Sequence, residues 1–229
     1  MISDSSRCPA RYLLTVQGPQ SALNAFEQAV RGNDTPFQLS QALPPPEDLR
    51  EVDPVAVAFY HVLAARYDAA VAILDELQLL PELLEALRGR AGIAEVGRIM
   101  REGSEQSALA KVPDVRHNLT AHNALTKQQW LRRVWGKLSG KLEQVEFSAS
   151  PGGLEYMFRA RDADLTFLEE LAPLHPALKF RAVVINSLTD KQSVCEINGE
   201  GEYSFAESAV DPFEEDDPFR RFRLAAQAS

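Results

Sequence analysis

Hydrophobic and polar positions alternate in residues 11–17, Arg-Tyr-Leu-Leu-Thr-Val-Gln, with Tyr12, Leu14 and Val16 on one side. That spacing predicts a strand with one buried face. Gly18-Pro19 ends it, and Leu23, Phe26 and Val30 then recur at helical spacing over 20–31, with Gly32 placed for a left-handed stop. Leu43-Pro44-Pro45-Pro46 loses three backbone donors and reads as an extended connector. Asp53-Pro54 supplies a cap and a first-turn proline. From Val55 to about Leu80 neither Gly nor Pro interrupts an Ala-, Leu- and Val-rich run; as one helix it would be ~39 Å long. Pro81 opens a short helix through Leu87, and Ile93 to Arg101 suggests another. Residues 111–123 are polar, carry Pro113 and are expected to form a loop. A helix from about Thr126 to Leu138 follows.

The C-terminal half returns to period-two patterning. Val145, Phe147 and Ala149 share one side, Ser150-Pro151-Gly152-Gly153 turns, and Leu154, Tyr156, Phe158 and Ala160 alternate against Glu155, Met157, Arg159 and Arg161. Asp164 can cap a helix bearing Leu165, Leu168 and Leu171, and Leu178, Phe180, Ala182 and Val184 form the buried face of the next strand. A last hairpin is expected at 192–197 and 201–206 around Asn198-Gly199. The order β-α, helical insertion, β-β-α-β, hairpin predicts an α+β fold: a ferredoxin-like, split βαβ antiparallel sheet with a helical insertion and an extra C-terminal hairpin. The expected units are 10–50 with 126–206 for the sheet domain, 53–125 for the insertion, and 207–229 for an acidic, aromatic tail.

Composition narrows the function classes. Of 229 residues 45% are hydrophobic and 25% charged, and 24 basic against 33 acidic residues leave a net charge of −9. Such a field disfavours non-specific binding to nucleic acid or anionic membrane. Cys8 and Cys195 form no disulfide framework, which points to a reducing compartment, and the N-terminal residues lack the apolar core of a signal peptide. A soluble, cytoplasmic protein without membrane contact is expected.

Several of these segments resemble the YubB-type ferredoxin-like family, carried by plasmids and phages and without an assigned function. Arg11-Tyr12-Leu13-Leu14-Thr15-Val16-Gln17-Gly18-Pro19 is similar to the family's Asn-Arg-Leu-Thr-Val-x-Gly-Pro start. Leu43-Pro44-Pro45-Pro46-Glu47-Asp48-Leu49 resembles Ile-Pro-Met-Pro-x-Glu-Leu, and Trp130 with Trp135-Gly136 keeps the spacing of Trp-Arg-x-x-Asn-Trp-Gly-Thr-Lys-Trp. The stretch from Tyr156 to Ile185, with Leu174-His175-Pro176, is similar in length to the family's strand, helix and strand. Val134, Lys137 and Ser139 depart from the aromatic motif, and Arg159-Ala160-Arg161-Asp162-Ala163-Asp164 replaces Thr-Ala-Trp-Ser-Pro-Pro. The resemblance implies the sheet fold, a mobile-element setting and an aromatic pocket largely dismantled here.

Candidate chemistry is sparse. His117 and His122, near Asp114, are spaced to splay on a regular helix, and no Cys or Glu completes a metal shell beside them. A solvated loop is the expectation there; no metal, cofactor or catalytic group is expected. His61 reads as a packed core residue and Cys195 as a structural thiol. Gly199-Glu200-Gly201 suits a turn. Trp130 and Trp135 are expected to pack, with ligand stacking as the alternative role. The open sheet face would gather Gln17, Arg159, Arg161, Lys179 and Arg181 into a basic strip, available to an anionic partner or to the acidic tail. Outward Leu13, Thr15, Met157 and Arg159 lack the aromatic platforms of sheet-based RNA readers.

These readings favour a non-catalytic binding or regulatory accessory protein of a mobile element, acting on an unknown protein partner. One alternative is a nucleic-acid binder using the basic face. The other is a small-ligand protein or enzyme with a pocket between insertion and sheet, around Trp130, Trp135 and His175.

Overall fold

The computed structural model describes residues 10–77, 81–89, 93–102, 106–139 and 142–209. Cys8 and the tail from residue 210 onward lie outside the described residues. In chain order the elements are β1 (Ala10–Gln17), α1 (Gln20–Val30), α2 (Leu39–Ala42), α3 (Pro54–Leu63), α4 (Tyr67–Leu77), α5 (Pro81–Arg88), α6 (Ile93–Glu102), α7 (Gln106–Leu109), α8 (Val112–His122) and α9 (Lys127–Val134). They continue as β2 (Glu143–Ser150), β3 (Gly153–Ala160), α10 (Thr166–Leu171), β4 (Lys179–Asn186), β5 (Lys191–Asn198) and β6 (Tyr203–Ala209). The chain forms two compact units, residues 1–44 with 132–229 and residues 45–131. Residues 45–50 and 126–131, expected with the sheet, fall in the helical unit.

The sheet unit is α+β. Its six strands run in the order β2-β3-β1-β4-β5-β6, every neighbouring pair antiparallel. The first four strands have the split βαβ arrangement, with β1 between β3 and β4, and β5 and β6 extend the sheet as the appended hairpin. Alternation decides which side is buried. Tyr12, Leu14 and Val16 are fully buried with Tyr156, Phe158, Phe180 and Ala182. Leu23, Phe26 and Val30 of α1 and Phe167, Leu168 and Leu171 of α10 close over that face. Phe26 meets Phe180 edge-on at 5.5 Å, and Tyr12 stacks on Phe158 at 4.7 Å. Phe147, on edge strand β2, is half-buried against Tyr156 at 5.0 Å. Such ring pairs add about 0.5–1.5 kcal/mol each beyond the area they bury.

Two hydrogen-bonded ties hold the crossover segments. The Tyr12 hydroxyl accepts from the Asp164 amide at 2.6 Å and reaches the Asp162 carbonyl at 2.8 Å, which pins the β3–α10 connection to the sheet centre. Asp164 in turn accepts from the amides of Thr166, at 2.9 Å, and Lys137, at 2.8 Å. At the far end, the turn at Gly199 lies so close to Pro176 that an added Cβ would stand 2.1 Å from its Cα.

The helical unit is built round α3, where Val55, Ala56, Val57, Ala58, Phe59, His61 and Val62 are all buried. Asp53 caps α3 by accepting from the Ala56 amide at 2.8 Å, with Pro54 in the first turn. Leu74, Leu83, Leu87, Val96, Met100 and Val115 share the same core.

Two expectations fail here. The run 55–80 is not one helix: Ala65 adopts φ 55°, the Arg66 amide bonds back to the His61 carbonyl at 2.8 Å, and the chain restarts as α4. This is a left-handed helix stop made without glycine, hence without its usual sequence mark. Residues 112–122 are helix rather than loop, because Pro113 sits in the first turn, where its missing N–H costs nothing.

Candidate functional site

The sheet face opposite α1 and α10 carries most of the residues singled out from sequence. The strand registers align them in rows across the sheet. One row runs Glu143–Arg159–Arg11–Ile185, the next Met157–Leu13–Val183–Val194, the third Glu155–Thr15–Arg181–Glu196, and the last Gln17–Lys179–Asn198. The expected basic strip is therefore split. Arg159 stands about 20 Å along the strands from Gln17 and Lys179, at ~3.4 Å per residue. Arg161 lies beyond the end of β3.

Charge on this face is also balanced. Arg181 pairs with Glu196 directly across β4 and β5 at 3.1 Å. Glu143 is registered opposite Arg159, and Glu155 shares the row of Arg181. An interleaved face lacks the unipolar field that phosphate binding uses. Between the charged rows lies a small apolar cluster, Leu13, Val183 and Ile185, with Met157 and Val194 packed against it. Leu13 and Met157 were legible in sequence as outward positions, but their meeting with Val183, Ile185 and Val194 depends on register.

Gln17, Lys179 and Arg181 do come together, around an open cleft of ≈320 Å³ that also takes in Asn198, Glu202 and Tyr203. Beyond it β6 forms the margin of the sheet. Every residue of β6 is exposed, and Tyr203 and Phe205 show 50% and 52% of their surface. Among the described residues β6 pairs on one side only, with β5. The Tyr203 hydroxyl lies against the Cys195 thiol, whose pKa is raised, chiefly by burial, against the opposing Tyr203 hydrogen bond. Such a thiol is a poor nucleophile.

The tryptophans do not offer stacking faces. Trp135 is buried and donates its indole N–H to the Leu43 carbonyl at 2.9 Å, and Trp130, in the helical unit, is buried too. His175 packs edge-on against Phe26 at 4.9 Å, and burial lowers its pKa. His61 is buried in α3, its pKa lowered by burial and then by Arg66.

The helical unit holds a constellation that sequence reading discounted. His117 and His122 lie on α8, about 140° apart round an ideal helix. His122 is its last residue, however, and the chain turns left-handed at Asn123. Their rings approach to 5.9 Å between centroids. Asp48 enters from the loop before α3, with Oδ2 3.2 Å from His117 Nε2 and Oδ1 3.0 Å from His122 Nε2. Burial tends to raise the Asp48 pKa, but the charge of His122 and the His117 hydrogen bond outweigh it, and the net shift is downward.

Asn118 positions this loop. Its side chain, fully buried, accepts from the Arg50 amide and donates to the Arg50 carbonyl, both at 2.9 Å. That reciprocal pair binds residue 50 as a strand neighbour would. Arg50 also pairs with Asp114, and Glu51 with Lys127 at 2.9 Å. Asn118-Leu119-Thr120, formally a glycosylation triplet, is thus spent on structure.

Comparison with known proteins returns little. No family model matches the chain, and no curated protein matches it. The crystal structure of protein api92 from Yersinia pseudotuberculosis, described by the family model DUF1281, is similar at 11% identity with a TM-score of 0.43, over 89% of this chain and 99% of that one. Among the described residues no helix is long and apolar enough to cross a membrane.

Proposed function

We propose that this chain is a non-catalytic binding protein, an accessory of a mobile element in the cytoplasm, that acts by protein–protein contact through the β6 margin of its sheet. The observation that carries this reading is the state of β6. A seven-residue strand, exposed throughout, presents a backbone edge that pairs with no other strand among the described residues, beside two large aromatic side chains. Open edges are ordinarily shortened, charged or covered because they template pairing with another chain. An edge left available next to Tyr203 and Phe205 suits strand addition, in which backbone bonds supply affinity and alternate side chains supply specificity.

The test compares the wild-type chain with a Tyr203→Lys/Phe205→Lys variant as baits in lysate of a host cell. A partner held saturably by the wild type and lost by the variant supports the reading. Equal retention by both, or no saturable partner, removes it. The balanced charge of the open face argues against the nucleic-acid alternative, and Trp130 and Trp135 are too buried to support stacking of a small ligand.

A further inference from the structure

We propose that Asp48, His117 and His122 form a binding site for a first-row divalent cation of the zinc class. Each residue offers one ligand atom, and the three lie within 4.8 Å of one another. Two imidazole nitrogens and one carboxylate oxygen are a donor set for zinc, cobalt or nickel. Magnesium and calcium take oxygen donors instead.

The spacing fits. A tetrahedral ion with bonds of about 2.0–2.2 Å holds neighbouring ligand atoms roughly 3.3–3.6 Å apart. Asp48 Oδ2 stands 3.2 Å from His117 Nε2 and Oδ1 3.0 Å from His122 Nε2, so each carboxylate oxygen comes close to that separation from one histidine. The remaining edge joins the two histidines, whose nitrogens lie within 4.8 Å of each other.

The nitrogen of His122 supplies a second, independent indication. Its Nε2 is buried and has no hydrogen-bond partner among the described residues, although Asp48 Oδ1 stands close by. The contact lacks hydrogen-bond alignment. A buried polar atom left unspent in this way costs stability unless something else takes it up, and a cation beside the carboxylate would do so.

The scaffold is held in advance of binding. Both histidines project from one helix, and the Asn118–Arg50 clamp fixes the loop two residues from Asp48. Supported geometry of this kind lowers the cost of assembling a site. Asp48 is 61% exposed, so water can complete the coordination shell. His117 also borders an apolar groove of ≈610 Å³ lined by Leu63, Leu109, Val112, Pro113, Arg116 and Thr120. The site lies wholly in the helical unit, so it stands or falls independently of the β6 reading.

The test uses the full chain stripped with a chelator and titrated with Zn²⁺ by calorimetry and with Co²⁺ by visible absorption, with Mg²⁺ as control. One equivalent of Zn²⁺ or Co²⁺ should bind saturably, and Mg²⁺ should not compete. His117→Ala, His122→Ala and Asp48→Asn should each weaken binding by more than about 100-fold, since even outer-shell partners are worth about 10–100-fold. His61→Gln and His175→Phe should leave it unchanged. Asp48→Asn alters an exposed loop residue, so it reads the site even if His122→Ala fails to fold. No saturable binding, or equal binding by the wild type and Asp48→Asn, overturns the proposal. Imidazole-to-Co²⁺ bands in the wild type that vanish in His117→Ala sustain it.

Discussion

Tyr12 and Tyr156 face each other's strands on the same buried side of the sheet, and the same substitution should move stability in opposite directions at the two sites. Both rings are fully buried. The Tyr12 hydroxyl accepts from the Asp164 amide at 2.6 Å and lies 2.8 Å from the Asp162 carbonyl, which it can donate to. The Tyr156 hydroxyl has no hydrogen-bond partner among the described residues. Burial raises the phenol pKa of both; at Tyr12 the Asp164 backbone bond opposes that shift, and at Tyr156 Glu27 adds to it. Tyr12→Phe keeps the stack on Phe158 but orphans the part-buried Asp164 amide and Asp162 carbonyl. At about 1–3 kcal/mol for a fully buried group left unsatisfied, and less where water reaches it, the expected loss is ~1–2 kcal/mol. Tyr156→Phe removes a hydroxyl whose unpaired burial costs about 1–3 kcal/mol, so it should be neutral or stabilise by ~1 kcal/mol. Urea unfolding followed by Trp135 fluorescence in a Trp130→Phe background reports on the sheet unit, and an unchanged m-value would show that only stability has moved. Equal destabilisation by the two variants would refute the assignment of the hydrogen bonds.

Ala65→Gly should stabilise the helical unit by about 0.5–1 kcal/mol, because φ 55° penalises a Cβ; a cost of ~1 kcal/mol, as inside a continuous helix, would show that α3 and α4 are joined. Gly199→Ala should cost about 1–3 kcal/mol, since its Cβ would meet the Pro176 backbone and no rotamer relieves the clash; a chemical-denaturation midpoint equal to wild type would contradict the close approach. Burial holds the His175 pKa below 6.5, so its contribution is complete above that value and is lost as pH falls toward the folded-state pKa. His175→Phe, which keeps a ring against Phe26, should flatten stability against pH in that window, and an unchanged slope would place the titration elsewhere.

Strands, helices and their buried faces were mostly legible in local pattern, because alternation and 3.6-residue spacing are properties of a few consecutive residues. Tyr12, Leu14 and Val16 already marked the inner face of β1, and Phe26 marked the inner face of α1. Even the split βαβ order followed, since a right-handed crossover leaves few ways to assemble β-α, then β-β-α-β. The helix stop at Ala65 was not legible, because a left-handed residue without glycine leaves no mark. The N-terminus of α8 was misread because Pro113 breaks a helix interior but suits a first turn.

The chemistry depended on distance in sequence. The basic strip was inferred from side-chain direction alone, yet register set Arg181 against Glu196 and left Arg159 and Arg161 at the other end of the face. His117 and His122 were visible as a pair, but Asp48 lies 69 residues before His117. A periodicity states which way a side chain points; it does not state which remote residue the chain, once closed, brings to meet it. That depends on buried groups such as Asn118, whose hydrogen bonds to the Arg50 backbone are the reason Asp48 is held beside the two histidines.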